Sequence, residues 1–287
     1  MKLFVAIPLC DYEPITSTVW SREFTYFIVE QCLKSFGDNI STPLDLCILA
    51  DRCSDKFIAM AEKILKRFNP KTIDNSNVQF GLQQTSVPEK HQHVLNQFLK
   101  TIELAQNHDV LYFCEQDYLF KKDALVHALA AFDEIPQVNL LSMFDHPGNH
   151  DPSEKSQPGD HQHFRTRLSE WKSVASINGN WLWRVNFIKK RYDWLVDQCL
   201  NGALDYRITN SLYKEGELLL SPAKSLIQHI RLDGKNSSPT FGFCPLSNLI
   251  RPIGVLLSFR NRILHKLRKK PYWLQNPNRK IIDRYGS

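Results

Sequence analysis

Three short apolar blocks constrain the fold more than any other feature of the chain: KLFVAIPL from Lys2, LDLCILA from Leu44 and DVLYFC from Asp109. Their apolar residues run together instead of alternating with polar ones. Strands of this kind have no solvent face, and they belong to a mostly parallel sheet covered on both sides. Segments of helical period separate them. Phe24, Ile28 and Cys32 recur at fourfold spacing, with Phe27 beside them. SDKFIAMAEKILKRF is amphipathic, with Ser54 as its candidate N-cap. PEKHQHVLNQFLKTIELAQ opens on a proline suited to a helix entry and places Leu95, Phe98, Leu99 and Ile102 on one face. KDALVHALAAFDEI is a further helix, and NVQFGLQ reads as a further strand. Strands alternating with helices give an α/β fold.

The acids at the strand exits give the chemistry its place. Asp11 follows the first block, Asp51 the second, and Glu115 and Asp117 follow VLYFC. Open parallel sheets bind ligands outside the carboxyl ends of their strands. A solvated turn explains any one of these acids. Three exits on one edge suggest a site for cations or hydroxyl groups. Neither GxGxxG nor GxxxxGK[ST] occurs, so no dinucleotide fold or P-loop is supported. A domain that binds phosphate without such a loop often uses a divalent cation held by carboxylates. If extended geometry persists past Cys114, Glu115 and Asp117 project to the same side and Gln116 turns away.

After Pro136 the pattern changes. DHPGNHDPSEKSQPGDHQHF has no periodicity and reads as a long polar loop, mobile and close to an acceptor. Its histidines His146, His150, His161 and His163 fit no structural zinc spacing. Trp171, Trp181 and Trp183 form either a stacking surface for sugar rings or part of the core. Seven scattered cysteines, with no CxxC pair, suggest a reducing compartment. The N-terminal apolar run is broken by Pro8 and reads as unlike a signal peptide. Residues 250–287 carry ten Lys or Arg against one acid, so the tail holds +9 and the remainder −3 of the net +6. Large apolar residues interleave with those bases, which points to an anionic membrane surface more than to nucleic acid. A helix docked on the domain is the other reading.

FVAIPLCDYEP, CILADRCSDKF and VLYFCEQDYLFKKDAL, in this order, resemble the nucleotide-binding half of GT-A glycosyltransferases, particularly the family-2-like inverting enzymes. Glu115-Gln116-Asp117 is similar to their DxD motif in an ExD form. SINGNWLWR, GALDYRITNSLYKEG and SLIQHIRLDGKNSS are similar to their acceptor, catalytic-base and late histidine segments. The chain has one acid, Asp205, where typical members show two. The resemblance implies an α/β, GT-A (Rossmann-like), mostly parallel sheet flanked by helices, with a basic C-terminal helical extension. Residues 1–245 would form the GT-A domain, divided into a nucleotide-sugar half (1–135) and an acceptor half (136–245). Residues 246–287 would be the amphipathic tail.

The same resemblance implies site roles. Asp205 would be the catalytic base. Pro8, Asp11, Asp51, Lys90, Glu115 and Gln116 would frame the nucleotide. Asp117 and His229 would hold Mn2+ or Mg2+, and Gly179, Trp181 and Arg184 would meet the acceptor. The implied activity moves a sugar from a UDP-, GDP- or CMP-sugar donor to a saccharide or lipid-linked acceptor, in the cytoplasm or at the inner membrane face. A catalytically inactive GT-A-like module that binds carbohydrate or nucleic acid, or a nucleotidyltransferase, are the alternatives.

Overall fold

The computed structural model describes residues 1–10, 22–74, 89–150, 161–201, 205–230 and 238–242, with residues 22–25, 89–95 and 200 described through their backbone only. In chain order the elements are β1 (Leu3–Leu9), α1 (Arg22–Asn39), β2 (Asp45–Ala50), α2 (Asp55–Leu65), β3 (Lys71–Asp74), α3 (Glu89–Leu104), β4 (Val110–Cys114), β5 (Tyr118–Phe120) and α4 (Ala124–Glu134). Then come β6 (Leu140–Leu141), β7 (His163–Arg165), β8 (Glu170–Ser173), β9 (Asn180–Arg184), α5 (Val185–Lys190), α6 (Tyr192–Leu200), α7 (Asp205–Lys214), β10 (Leu219–Pro222) and β11 (Ile227–His229).

Nine strands form one sheet in the order β3-β2-β1-β4-β9-β6-β10-β8-β7. β3, β2, β1 and β4 are parallel neighbours. β9 reverses against both β4 and β6, β10 runs parallel with β6, and β8 reverses again between β10 and β7. All strands of the sheet except β8 and β9 therefore run one way. This is the mostly parallel α/β sheet expected. The first, second and fourth strands fall on the three apolar blocks. The third differs: β3 is the half-exposed KTID at the sheet edge, while NVQFGLQ lies outside the described residues. An edge strand packs on one side only and needs no apolar run to form.

Period-2 geometry divides each central strand between two cores. Leu3, Val5, Ile7 and Leu9 of β1 meet α1, α2 and α4 on one face. Phe4 and Ala6 meet α3 and the α5–α7 group on the other. In α1 the buried face is Ile28, Val29, Cys32, Leu33 and Phe36, and Phe27 is exposed. Trp171, Trp181 and Trp183 are all buried, so the sugar-platform reading gives way to core packing. Cys32, Cys47, Cys114 and Cys199 are buried among the apolar side chains. No helix among the described residues is long and apolar enough to cross a membrane.

The carboxyl ends of β1, β2, β4, β6 and β10 share one edge of the sheet, and the reversed β9 and β8 begin there. The two-stranded ribbon of β5 and β11 stands at this edge, with Tyr118 opposite His229 and Phe120 opposite Ile227.

Candidate active site

Gln116 shows how β4 ends. Its side-chain oxygen accepts the Cys10 N–H at 2.9 Å, and its amide donates to the Cys10 carbonyl at 3.0 Å. This two-point clasp ties the exit of β4 to the exit of β1. Both polar groups of the Gln116 side chain are thus committed to the Cys10 backbone, so its role at these strand exits is to join β4 to β1. The clasp also fixes how its two acidic neighbours leave the strand.

Glu115 and Asp117, with His229 from β11, bring together three potential metal-ligand atoms within 4.8 Å of one another. That span suits a single ion with bonds of about 2.0–2.4 Å. Two carboxylates and an imidazole, all half-buried, form a mixed oxygen and nitrogen donor set that could hold a divalent ion. His229 Nε2 lies 2.9 Å from Asp117 Oδ2. Backbone pairing brings the two residues together: Ile230 N–H donates to the Asp117 carbonyl at 2.8 Å. The histidine ring stacks on Tyr118 at 4.8 Å between centroids and 17° between planes.

Gly179 links this cluster to Asp205. Its N–H donates to Asp205 Oδ2 at 2.9 Å. Its φ of +68° is left-handed, and a Cβ there would stand 2.5 Å from Glu115 Oε2. The glycine lets the Glu115 carboxylate approach from one side while its amide holds Asp205 on the other. Asp205 opens α7, where the helix dipole favours its anion. Burial opposes this and prevails, raising the carboxyl above its ordinary value against the N–H bonds from Tyr206 and Gly179.

Tyr118 escaped sequence reasoning because it reads as part of the resumed apolar run YLF. Only 2% of it is exposed, yet its hydroxyl lies 3.2 Å from where a Gly179 Cβ would sit. Burial first, then the charges of Glu115, Asp117 and Asp205, push the phenol well above its usual range. It therefore stays protonated and can donate a hydrogen bond among three carboxylates.

The other expected residues are dispersed. Asp51 is buried at the end of β2 and pairs with Arg52 at 3.2 Å. Pro8 lies in β1 beside Leu49. Lys90 lies in the first turn of α3 with its side chain outside the described residues, and Asp11 lies outside them altogether. Trp181 packs its ring against Phe98 and Phe113. Arg184 corrects an expectation. It ends β9 at the opposite edge of the sheet, donates to the Val138 and Phe132 carbonyls, and covers the Phe132 ring. It holds α4 to the sheet, far from any acceptor at the carboxyl edge.

Asp145 was also overlooked. It follows β6 and is fully buried. Its carboxylate takes Lys172 Nζ at 2.9 Å, His150 Nε2 at 2.7 Å, Thr240 Oγ1 at 2.7 Å and Asn149 Nδ2 at 3.2 Å. The string DHPGNH is thus pinned to the sheet, which corrects the mobile-loop reading for residues 145–150. Residues 151–160 lie outside the described residues.

No protein-family profile matches the sequence, and no curated protein matches it. Among solved structures, S. aureus TarS 1-349 in complex with UDP is 14% identical over 82% of this chain and 62% of that chain, with a TM-score of 0.48. The galactosyltransferase LgtC with donor and acceptor sugar analogs is 11% identical over 95% and 99%, at 0.48. Mouse xyloside xylosyltransferase 1 is 12% identical over 76% and 83%, at 0.44. Two of these three are sugar transferases by name. The chain spans 37% of the full TarS chain. At such identities the site has to be judged on its own geometry.

Proposed function

We propose that the protein is a metal-dependent, inverting glycosyltransferase that moves a sugar from a nucleotide-sugar donor to a saccharide or lipid-linked saccharide acceptor. One observation carries this reading. A cation-ready triad (Glu115, Asp117 and His229) and a carboxyl of raised affinity for protons, Asp205, lie on the two sides of Gly179 at the carboxyl edge of the sheet.

In this reading Asp117 and His229 would hold a divalent ion, and Glu115 would join them or meet the donor's ribose. The bound ion supplies Lewis-acid stabilisation of the departing nucleoside diphosphate. Asp205 takes the proton of the acceptor hydroxyl as that oxygen bonds to the anomeric carbon. A raised carboxyl affinity brings the base closer to the operating pH. The Gly179 amide holds Asp205 Oδ2 and the Tyr206 amide holds Oδ1, so the carboxylate is oriented through both oxygens while each keeps a lone pair for the acceptor proton. The sugar passes through an oxocarbenium-like state.

The test is transfer and donor hydrolysis across UDP-, GDP- and CMP-sugars with Mn2+ or Mg2+. Turnover with one donor, lost on chelation and in Asp117→Ala, is the expected result. Unimpaired turnover by Asp117→Ala removes the metal assignment. Absence of calorimetric binding to UDP, GDP and CMP, with and without metal, removes the donor reading.

A further inference from the structure

A cavity of about 420 Å³ opens on the same edge of the sheet without touching the triad. Arg165 ends β7, Glu170 begins the reversed β8, and Lys224 lies two residues past β10, so the acceptor-half strands deliver all three to that edge. Lys121 arrives from the ribbon. Its N–H donates to the Leu226 carbonyl at 2.9 Å, closing the end of the ribbon opposite Asp117 and His229. Lys121 follows Asp117 by four extended residue steps, about 13 Å of chain.

The cavity's charge is one-sided. Lys121, Lys224, Arg165 and Arg167 line it against the single acid Glu170. Arg167 is engaged outside by Glu134 at 3.1 Å and Asp133 at 3.7 Å, and Arg165 reaches Glu170 only at 3.9 Å. Among the described residues, neither Lys121 nor Lys224 has a carboxylate partner. Lys121 Nζ lies over the Phe241 ring, 4.6 Å from its centroid. Burial first, and Lys224 second, hold the Lys121 ammonium below its ordinary lysine range. Two like charges therefore face one space, and neither is paired with a carboxylate among the described residues. An oxyanion between them would offset both, and ammonium groups are compact donors for one. The volume lies at the low end for small-ligand sites and exceeds what one oxyanion fills. Leu226 adds an apolar lining for the CH face of a sugar ring.

We propose that this cavity is an anion-binding site for a saccharide bearing a phosphate or carboxylate group. That such a saccharide is the acceptor rests on the glycosyl-transfer reading above; that it binds here does not.

The experiment measures binding by calorimetry to the full chain, with chelator present so that no metal-bound site competes. The probes are inorganic phosphate, glucose 6-phosphate, glucuronate and neutral glucose. Saturable binding of at least one charged sugar, tighter than phosphate alone, is expected, with no binding of glucose. Lys224→Gln, an exposed change, should weaken it about fivefold to tenfold, and Lys121→Gln with Lys224→Gln further. Raising the salt should weaken it as well. Preference for glucose 6-phosphate assigns phosphate as the recognised group, and preference for glucuronate assigns carboxylate. No saturable binding of any anion, equal binding of neutral glucose, or an unchanged affinity in Lys224→Gln and the double variant overturns the proposal. Asp117→Ala should bind the charged sugars as the wild type does, so failure of the transfer reading leaves this result standing.

Discussion

Two carboxylate clusters stand at the same edge of one sheet, and their charges have opposite fates. Around Asp145, burial raises the carboxyl, and the hydrogen bonds from Thr240, His150 and Lys172 together reverse it, so its net affinity for protons is lowered. Around Asp205, burial raises the carboxyl and two backbone N–H bonds fail to reverse it. The first cluster is satisfied from within the chain. The second keeps unspent charge at the mouth of the sheet. Buried charges are retained where they are paired, and clefts that keep perturbed ones are candidate functional sites. The contrast supports an architectural role for Asp145 and the proposed catalytic role for Asp205.

The largest effect should come from the second cluster. Asp205→Asn keeps the shape and the acceptor for the Gly179 N–H but removes the base. Transfer should fall about 10²–10⁴-fold in kcat while the divalent-ion affinity holds. The wild-type rate should climb with pH as Asp205 loses its proton, with the acid limb displaced upward from that of an ordinary aspartate. Stability gives opposite signs for the two acids. A raised folded-state value, as at Asp205, contributes stability at pH below the unfolded value that is lost as pH rises through the folded one. A lowered value, as at Asp145, contributes stability above the unfolded value that is lost as pH falls through the folded one. Denaturant melts of Asp205→Asn and Asp145→Asn across acidic pH check both signs. Matching slopes would erase the distinction.

Next in size is the first cluster. Asp145→Ala leaves Lys172 buried without its carboxylate and frees Thr240. Breaking a buried pair by removing one partner costs about 3–5 kcal/mol. The loss should appear as a lowered denaturation midpoint. Any fall in transfer should follow the folded fraction, with KM for the donor unchanged. A variant of full stability and reduced kcat would move Asp145 into the chemistry.

Gly179→Ala tests the link between the triad and Asp205. A left-handed alanine costs about 1–2 kcal/mol, and the added methyl must displace the Glu115 carboxylate. Glu115 is the end of a flexible side chain and can move. The expected outcome is therefore a folded protein, slightly less stable, with weakened Mn2+ affinity. Wild-type Mn2+ affinity would separate Glu115 from the ion.

The difference between the clusters also explains what was legible in the sequence. β1, β2 and β4 were readable because buried parallel strands need continuous apolar residues. Glu115 and Asp117 were readable because those runs stop abruptly at them. Asp145 was hidden because its partners Lys172 and Thr240 lie 27 and 95 positions away, and no local pattern encodes a long-range ion cluster. DHPGNH therefore looked like a loop. Arg184 misled for a related reason. Strand β9 runs opposite to β4, and its reversal carries Arg184 to the far edge while Asn180 reaches the site edge. Direction within a mixed sheet is set by pairing across the chain, which composition does not record.

The smallest and sharpest test is Tyr118→Phe. Among the described residues, the Tyr118 hydroxyl has no hydrogen-bond partner, although its ring is buried and stacked on His229. Removing a hydroxyl that bonds nothing in the free protein should leave stability within about 0.5 kcal/mol of wild type. A hydroxyl that donates to substrate beside Asp205 contributes about 0.5–1.5 kcal/mol, so transfer should fall about twofold to tenfold. A fall in kcat at constant KM would place that hydrogen bond in the transition state, and a rise in KM alone would place it in the ground state. Unchanged kinetics at unchanged stability would leave Tyr118 as packing for His229. The unspent hydrogen-bonding capacity of the second cluster would then reside in its carboxylates and His229 alone.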